Sequence, residues 1–120
     1  MEQLFITKVR YSDLDDNKVT ESYLVEALSY TEAEARTIDY LSSYSSDAIE
    51  IKSLKPLGVS EAVGMDANGN SYRYFIVGTS VSRKVLVKEL SALDACKTVS
   101  DSWEEEVTSV RLVDIVEVIK

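Results

Sequence analysis

The chain contains no histidine. Histidine is the usual general base near neutral pH and the commonest metal ligand. Its absence excludes histidine triads, histidine-held zinc hydrolases and most acid–base enzymes. Cysteine occurs once, at Cys96, which excludes an internal disulfide and any cysteine-rich metal site. There is one proline and no low-complexity run, and apolar residues make up 45% of the chain, so disorder is not expected. No apolar stretch approaches the ~20 residues of a membrane span. The N-terminal MEQLFITK lacks the basic-then-apolar pattern of a signal peptide. A cytoplasmic protein with a globular core is the expectation.

What the chain does have is acid. Its 21 Asp and Glu outnumber 13 Lys and Arg, giving a net charge of −8. That balance opposes binding to a phosphate backbone. The charge is uneven: residues 1–65 sum to −6, residues 66–93 to +2 and residues 94–120 to −4. One basic hairpin therefore sits on an acidic body. The 120 residues suffice for one domain with one core.

Alternation marks strands at residues 4–11 and 19–27, separated by the turn cluster SDLDDNK. Phe5, Val9 and Tyr11 share one face, and Val19, Tyr23 and Val25 another. A helix follows from Thr31, where Thr31 and Glu34 have capping-box spacing. Its inward stripe is expected at Ala35, Ile38 and Leu41, with Ala33 or Tyr40. A third strand spans 48–54, is interrupted by Pro56 and Gly58, and can resume at VSEAV. Asn68-Gly69 favours a tight hairpin turn. Strands at 71–81 and 84–90 lead into a helix from Ala92, with the stripe Ala95, Cys96, Val99 and Trp103. Residues 107–119 read as one long last strand.

The order is thus β-β-α-β twice. A shared stretch marks it: LVEALSYTEA at 24–33 and LVKELSALDA at 86–95 agree at Leu, Val, Leu, Ser and Ala, at an offset of 62 residues throughout. Two copies of one supersecondary unit, about 1–63 and 70–120, explain the match. The expected fold is α+β: one mostly antiparallel sheet of about six strands, with two helices on one side.

The first half carries a longer signature. KVRY at Lys8–Tyr11, then KVTESYLVEALSYTEAEAR from Lys18 to Arg36, resembles a family of small uncharacterised proteins. These are encoded in Bacteroidetes genomes and by their phages and mobile elements. The family's run has the form K-V-T-E-x-Y-L-V-x-A-L-S-aromatic-T-E-A-E-A-R. The resemblance implies a phage or mobile-element origin and a small protein of the bacterial cytoplasm. It supplies no catalytic residue.

Several clusters are candidate sites. Asp13, Asp15 and Asn17 have calcium-loop spacing, but such a loop needs glycine sixth and glutamate twelfth, where Lys18 and Leu24 stand. Asp66, Asn68 and Asn70 fail likewise at Ser71 and Val77, so both stretches read as turns. Tyr72 and Tyr74 fall on one strand face, Arg73 and Phe75 on the other. With Arg83, Lys84 and Lys88 they form a candidate ligand surface, with rings to stack and cations to neutralise a nucleotide or single strand. An amphipathic strand edge explains the same pattern. Glu21 is a candidate ligand-binding carboxylate, or an ion-pair partner of Lys8, Arg10 or Arg36. Cys96 reads as a small core residue. Glu104, Glu105 and Glu106 sit badly at the negative end of a helix dipole, which hints that something else needs them.

The expectation is a non-enzymatic binding protein, without cofactor or metal. It would sequester a small, nucleotide-like ligand or occupy a host protein, and self-association is open through the long apolar last strand. The alternative is a nucleic-acid accessory protein using the hairpin at 72–88. An enzyme working through carboxylates alone, with magnesium and Glu21, ranks last.

Overall fold

The structure is a computed structural model and describes residues Gln3–Ile119. Its elements are β1 (Gln3–Ser12), β2 (Lys18–Ala27), α1 (Tyr30–Leu41), β3 (Glu50–Pro56), β4 (Glu61–Val63), β5 (Arg73–Thr79), β6 (Lys84–Glu89), α2 (Ala92–Trp103), β7 (Val107–Val113) and β8 (Val118–Ile119). The α+β class is as expected, but the single six-stranded sheet is not. There are two four-stranded sheets, ordered β3-β1-β2-β8 and β4-β6-β5-β7. The chain divides into two compact units, Met1–Leu57 with Ile115–Lys120, and Gly58–Asp114.

The reason lies in two short strands: β8, hidden inside the apolar run 107–119, and β4, which falls within VSEAV but joins the second sheet instead of resuming β3. β8 lies parallel to β2, pairing Leu24 with Val118 and Val25 with Ile119. β4 lies parallel to β6, pairing Glu61 with Val85 through Val63 with Val87. The free side of each central strand is thereby closed, and β2 and β6 cannot join into one sheet. The apolar run 107–119 is correspondingly two strands in different sheets. Gly64, at φ +76°, ends β4, and a Cβ there would lie 2.8 Å from the Lys88 carbonyl oxygen. Only glycine tolerates both conditions. Asn68-Gly69 closes no hairpin, because β4 and β5 are not neighbours. The tight hairpin is β5–β6, through Ser82 at φ 65°.

Each unit places one helix on its own sheet. The first core joins Phe5, Val9, Tyr11, Tyr23, Val25 and Ala27 to Ala33 and Leu41 of α1. The second joins Phe75, Val77, Val85 and Val87 to Ala95 and Val99 of α2. Each fully buried Phe, Leu or Val contributes on the order of 1.5–3 kcal/mol.

Both helices start at the shared serine. Ser29 Oγ accepts from the Glu32 amide, and Ser91 Oγ from the Asp94 amide. The cap of α1 is therefore Ser29, not Thr31. The register follows from what the helix buries: Ala33, Thr37 and Leu41 face inward, while Ala35 and Ile38 are exposed. Starting at Ser29 places this spacing of four on the sheet.

The matched positions have the same structural roles in both units. Leu24, Val25, Leu86 and Val87 are fully buried central-strand residues, Leu28 and Leu90 are exposed, and Ala33 and Ala95 are fully buried. Phe5 pairs with Val25 as Phe75 pairs with Val87. The outer strands carry register irregularities at Lys8/Val9 and at Gly78/Thr79. The units differ in the length of one end. β1 and β2 have 10 residues each, against 7 and 6 in β5 and β6. Residues 42–49 connect α1 to β3, against 104–106 for α2 to β7.

Candidate functional site

The basic hairpin is built around Arg83. Its Nε and Nη2 donate to Glu105 Oε1 and Oε2 at 3.0 and 3.2 Å, a bidentate pair. Its Nη1 donates to Glu61 Oε1 at 3.1 Å. Its guanidinium lies over the Trp103 ring, 5.2 Å from the centroid. Thr79 Oγ1 donates to Glu105 Oε1 at 2.8 Å and accepts from the Arg83 amide. Arg83 pulls Glu105 below the usual carboxylate range, helped by Thr79. The Ser60 hydroxyl and then Arg83 lower Glu61. α2 ends at Trp103, and its C-cap Glu104 lies in the left-handed region with φ 53°. Glu105 is thus a partner for Arg83 rather than part of a helix end.

The other hairpin candidates are dispersed. Tyr72 precedes β5 and is half-buried. Tyr74 is buried, with Lys88 Nζ over its ring at 5.5 Å. Arg73 and Lys84 are exposed. Arg83 and Tyr74 therefore face protein groups, which leaves Arg73 and Lys84 as the exposed cations among these positions.

Glu21 belongs to the first unit, and its partners are phenols. Tyr11 and Tyr23 donate to its Oε1 at 2.8 and 3.4 Å. Arg36 instead pairs with Glu32 and donates to the Glu26 carbonyl. Burial, then the charge of Glu21, raises the Tyr23 phenol, and burial raises Tyr11 and Tyr40. Tyr23 and Tyr40 meet edge-on at 5.8 Å, and Tyr40 and Tyr44 at 5.7 Å. Asp13 Oδ1 accepts from the amides of Asp15 and Asn17, so that carboxylate closes the β1–β2 turn. Cys96 is half-buried with a free thiol.

A charged cleft lies in the first unit. Its volume is about 270 Å³, and it is lined by Arg10, Tyr11, Ser12, Lys18, Asp47, Ala48 and Glu50. The first four come from the far end of the β1–β2 hairpin, the rest from the approach to β3. Arg10, Tyr11 and Lys18 belong to the family signature and Ser12 to the turn cluster SDLDDNK, but no spacing among these residues and Asp47–Glu50 marks them as a site. The available signal was the hairpin's length, which exceeds that of the β5–β6 hairpin in the second unit.

The family described as a domain of unknown function (DUF4494) matches residues 3–120, and the chain belongs to it. No curated protein and no solved structure matches the chain. No helix among the described residues is long and apolar enough to cross a membrane.

Proposed function

We propose that this is a non-enzymatic binding protein that sequesters a small ligand, from a phage or mobile element and acting in the bacterial cytoplasm. The observation that carries the reading is the polar cleft at Arg10, Tyr11 and Lys18. Around it, the groups best suited to catalysis are held by the protein itself: Glu21 by two tyrosines, Arg83 by two carboxylates. The nucleic-acid reading has less support, since Arg83 and Tyr74 point their chemistry inward. The two halves are best taken as copies of one β-β-α-β unit, which the equivalent caps, pairings and register shifts support. One copy keeps the minimal frame, and the other has grown the hairpin that bears the cleft.

Self-association through β7 belongs to the same proposal. β7 is an edge strand whose residues Thr108–Leu112 are all exposed, with Val110 and Leu112 among them. β3, the corresponding edge, is guarded by Lys52, Lys55 and Pro56. Two β7 strands paired antiparallel about Val110 would set Arg111 opposite Ser109, with no like charges facing. A second copy of the chain therefore fits this edge.

Native mass spectrometry of the protein from its own host tests the main reading. A retained small mass supports it. A bare chain in every charge state, with or without a second copy, counts against it.

A further inference from the structure

We propose that the two halves of the chain are a strand-exchanged pair joined by a loop, and that the edge each half offers, the free side of β2 or of β6, takes the last strand of a second copy of the repeat. The inference rests on the duplication read above and adds a fifth strand to the repeated unit.

The exchange is visible in the register. In the first sheet Phe5 pairs with Pro56 and Val25, and Val25 with Ile119. In the second, Phe75 pairs with Leu112 and Val87, and Val87 with Val63. The rows Pro56-Phe5-Val25-Ile119 and Leu112-Phe75-Val87-Val63 match position for position. Yet in the sequence Val63 follows Pro56, and Ile119 follows Leu112, each by seven residues. After the third strand of its own half, the chain therefore enters the other half's sheet, both times at the same row. Hydrogen bonds agree. The Ser60 amide donates to the Lys84 carbonyl at 3.0 Å, and the Val116 amide to the Ser22 carbonyl at 2.8 Å. Each of these residues stands three before its strand's member of the row. The crossing segments also share a pattern. LGVSEAV at 57–63 and VDIVEVI at 113–119 are both apolar at the first, third, sixth and seventh positions, with Glu61 and Glu117 at the fifth.

Reciprocity identifies the partner. Two domains joined in one chain need only a single crossing. Here Val63 of the first half meets Val87 of the second, while its counterpart Ile119 meets Val25, the counterpart of Val87. That is the pairing rule of two identical copies in an isologous dimer. The covalent link takes no part in either pairing. Residues 64–72 join β4 to β5, and Asp66, Asn68, Gly69 and Asn70 are exposed. Such a link acts by keeping the partners at high local concentration. Each edge recognises a short parallel strand with two apolar residues after a glutamate, and Ile119 and Val63 carry that strand into the first and second cores. A second copy of the repeat offers the same strand, so it is the occupant that fits.

The test uses the whole chain with a protease site in place of residues 66–70, cut after folding. Native mass spectra should show the two pieces held as a one-to-one pair. After passage through urea and back, pairs of two first-half pieces and pairs of two second-half pieces should appear beside the mixed pair. Ile119→Ala should weaken the mixed pair about tenfold or more, as expected for truncating a buried isoleucine. Pieces that separate on cutting, or mixed pairs with no same-half pairs at any concentration, would overturn the proposal. An intact chain with LGVSEAV and VDIVEVI interchanged separates this failure from that of the duplication. If it folds while same-half pairs are missing, the duplication stands and the second copy as partner falls. If it does not fold and same-half pairs are missing, both fall.

Discussion

Arg83 holds two carboxylates and the ring of Trp103 at once, so the second unit's response to acid should run through this group. Glu61 and Glu105 both titrate below the usual carboxylate range in the folded chain. Their contribution to stability is present above the unfolded value, near 4.5, and is lost as pH falls through the lower folded values. Glu105→Gln should therefore be less stable than the wild type at neutral pH and lose less on acidification. The two curves of urea midpoint against pH should converge at the acid end. Parallel curves would mean that Arg83 and Glu105 are not coupled in this way.

At the scale of elements, the helix caps and the β7 edge make separable predictions. Ser29→Ala and Ser91→Ala should each cost about 1 kcal/mol in urea unfolding. Thr31→Ala should stay within about 0.5 kcal/mol, because its hydroxyl caps nothing. Leu112→Lys places a charge on an exposed edge position and should shift any dimer to monomer in analytical ultracentrifugation, with stability little changed. Strands and helices were legible because β1, β2, β5, β6 and both helices each bury a periodic face. The cap of α1 was not, since S-Y-T-E-A-E contains two overlapping boxes and only the buried spacing of Ala33, Thr37 and Leu41 chooses between them. The break at Asp114 was also hidden. VDIVEVI has strand propensity throughout, and what divides it is the partner each half finds. Glu21 alternates with Val19 and Tyr23 along β2, but its phenol partners, Tyr23 on the same strand and Tyr11 across the hairpin, are not named by spacing alone. The cleft needed the β1–β2 hairpin end and the approach to β3 to meet in space, and nothing in the spacing of the two stretches links them.

At the scale of the molecule, the second unit is contiguous and the first is not. Gly58–Asp114 contains β4, β5, β6, α2 and β7, and so every strand of its sheet. A fragment of those residues should fold cooperatively alone, with only about 3–5 kcal/mol of stability at that size. Residues 1–57 alone lack β8, which leaves one side of β2 unpaired beside Leu24 and Val25. That fragment should stay largely unstructured by circular dichroism and gain structure when 115–120 is joined to it by a short linker.

The parallel pair of β2 with β8 also sets an order of events during synthesis. Leu24 and Val25 leave the ribosome early, but their partners Val118 and Ile119 are translated only after all of Gly58–Asp114. Domains usually fold in order from the N-terminus as they emerge. Here the later-made unit is the first to possess all its strands, and the nascent N-terminal sheet must wait with one edge of β2 open. During that interval the chain carries an unpaired strand edge beside Leu24 and Val25, the state most exposed to misassembly between neighbouring nascent chains.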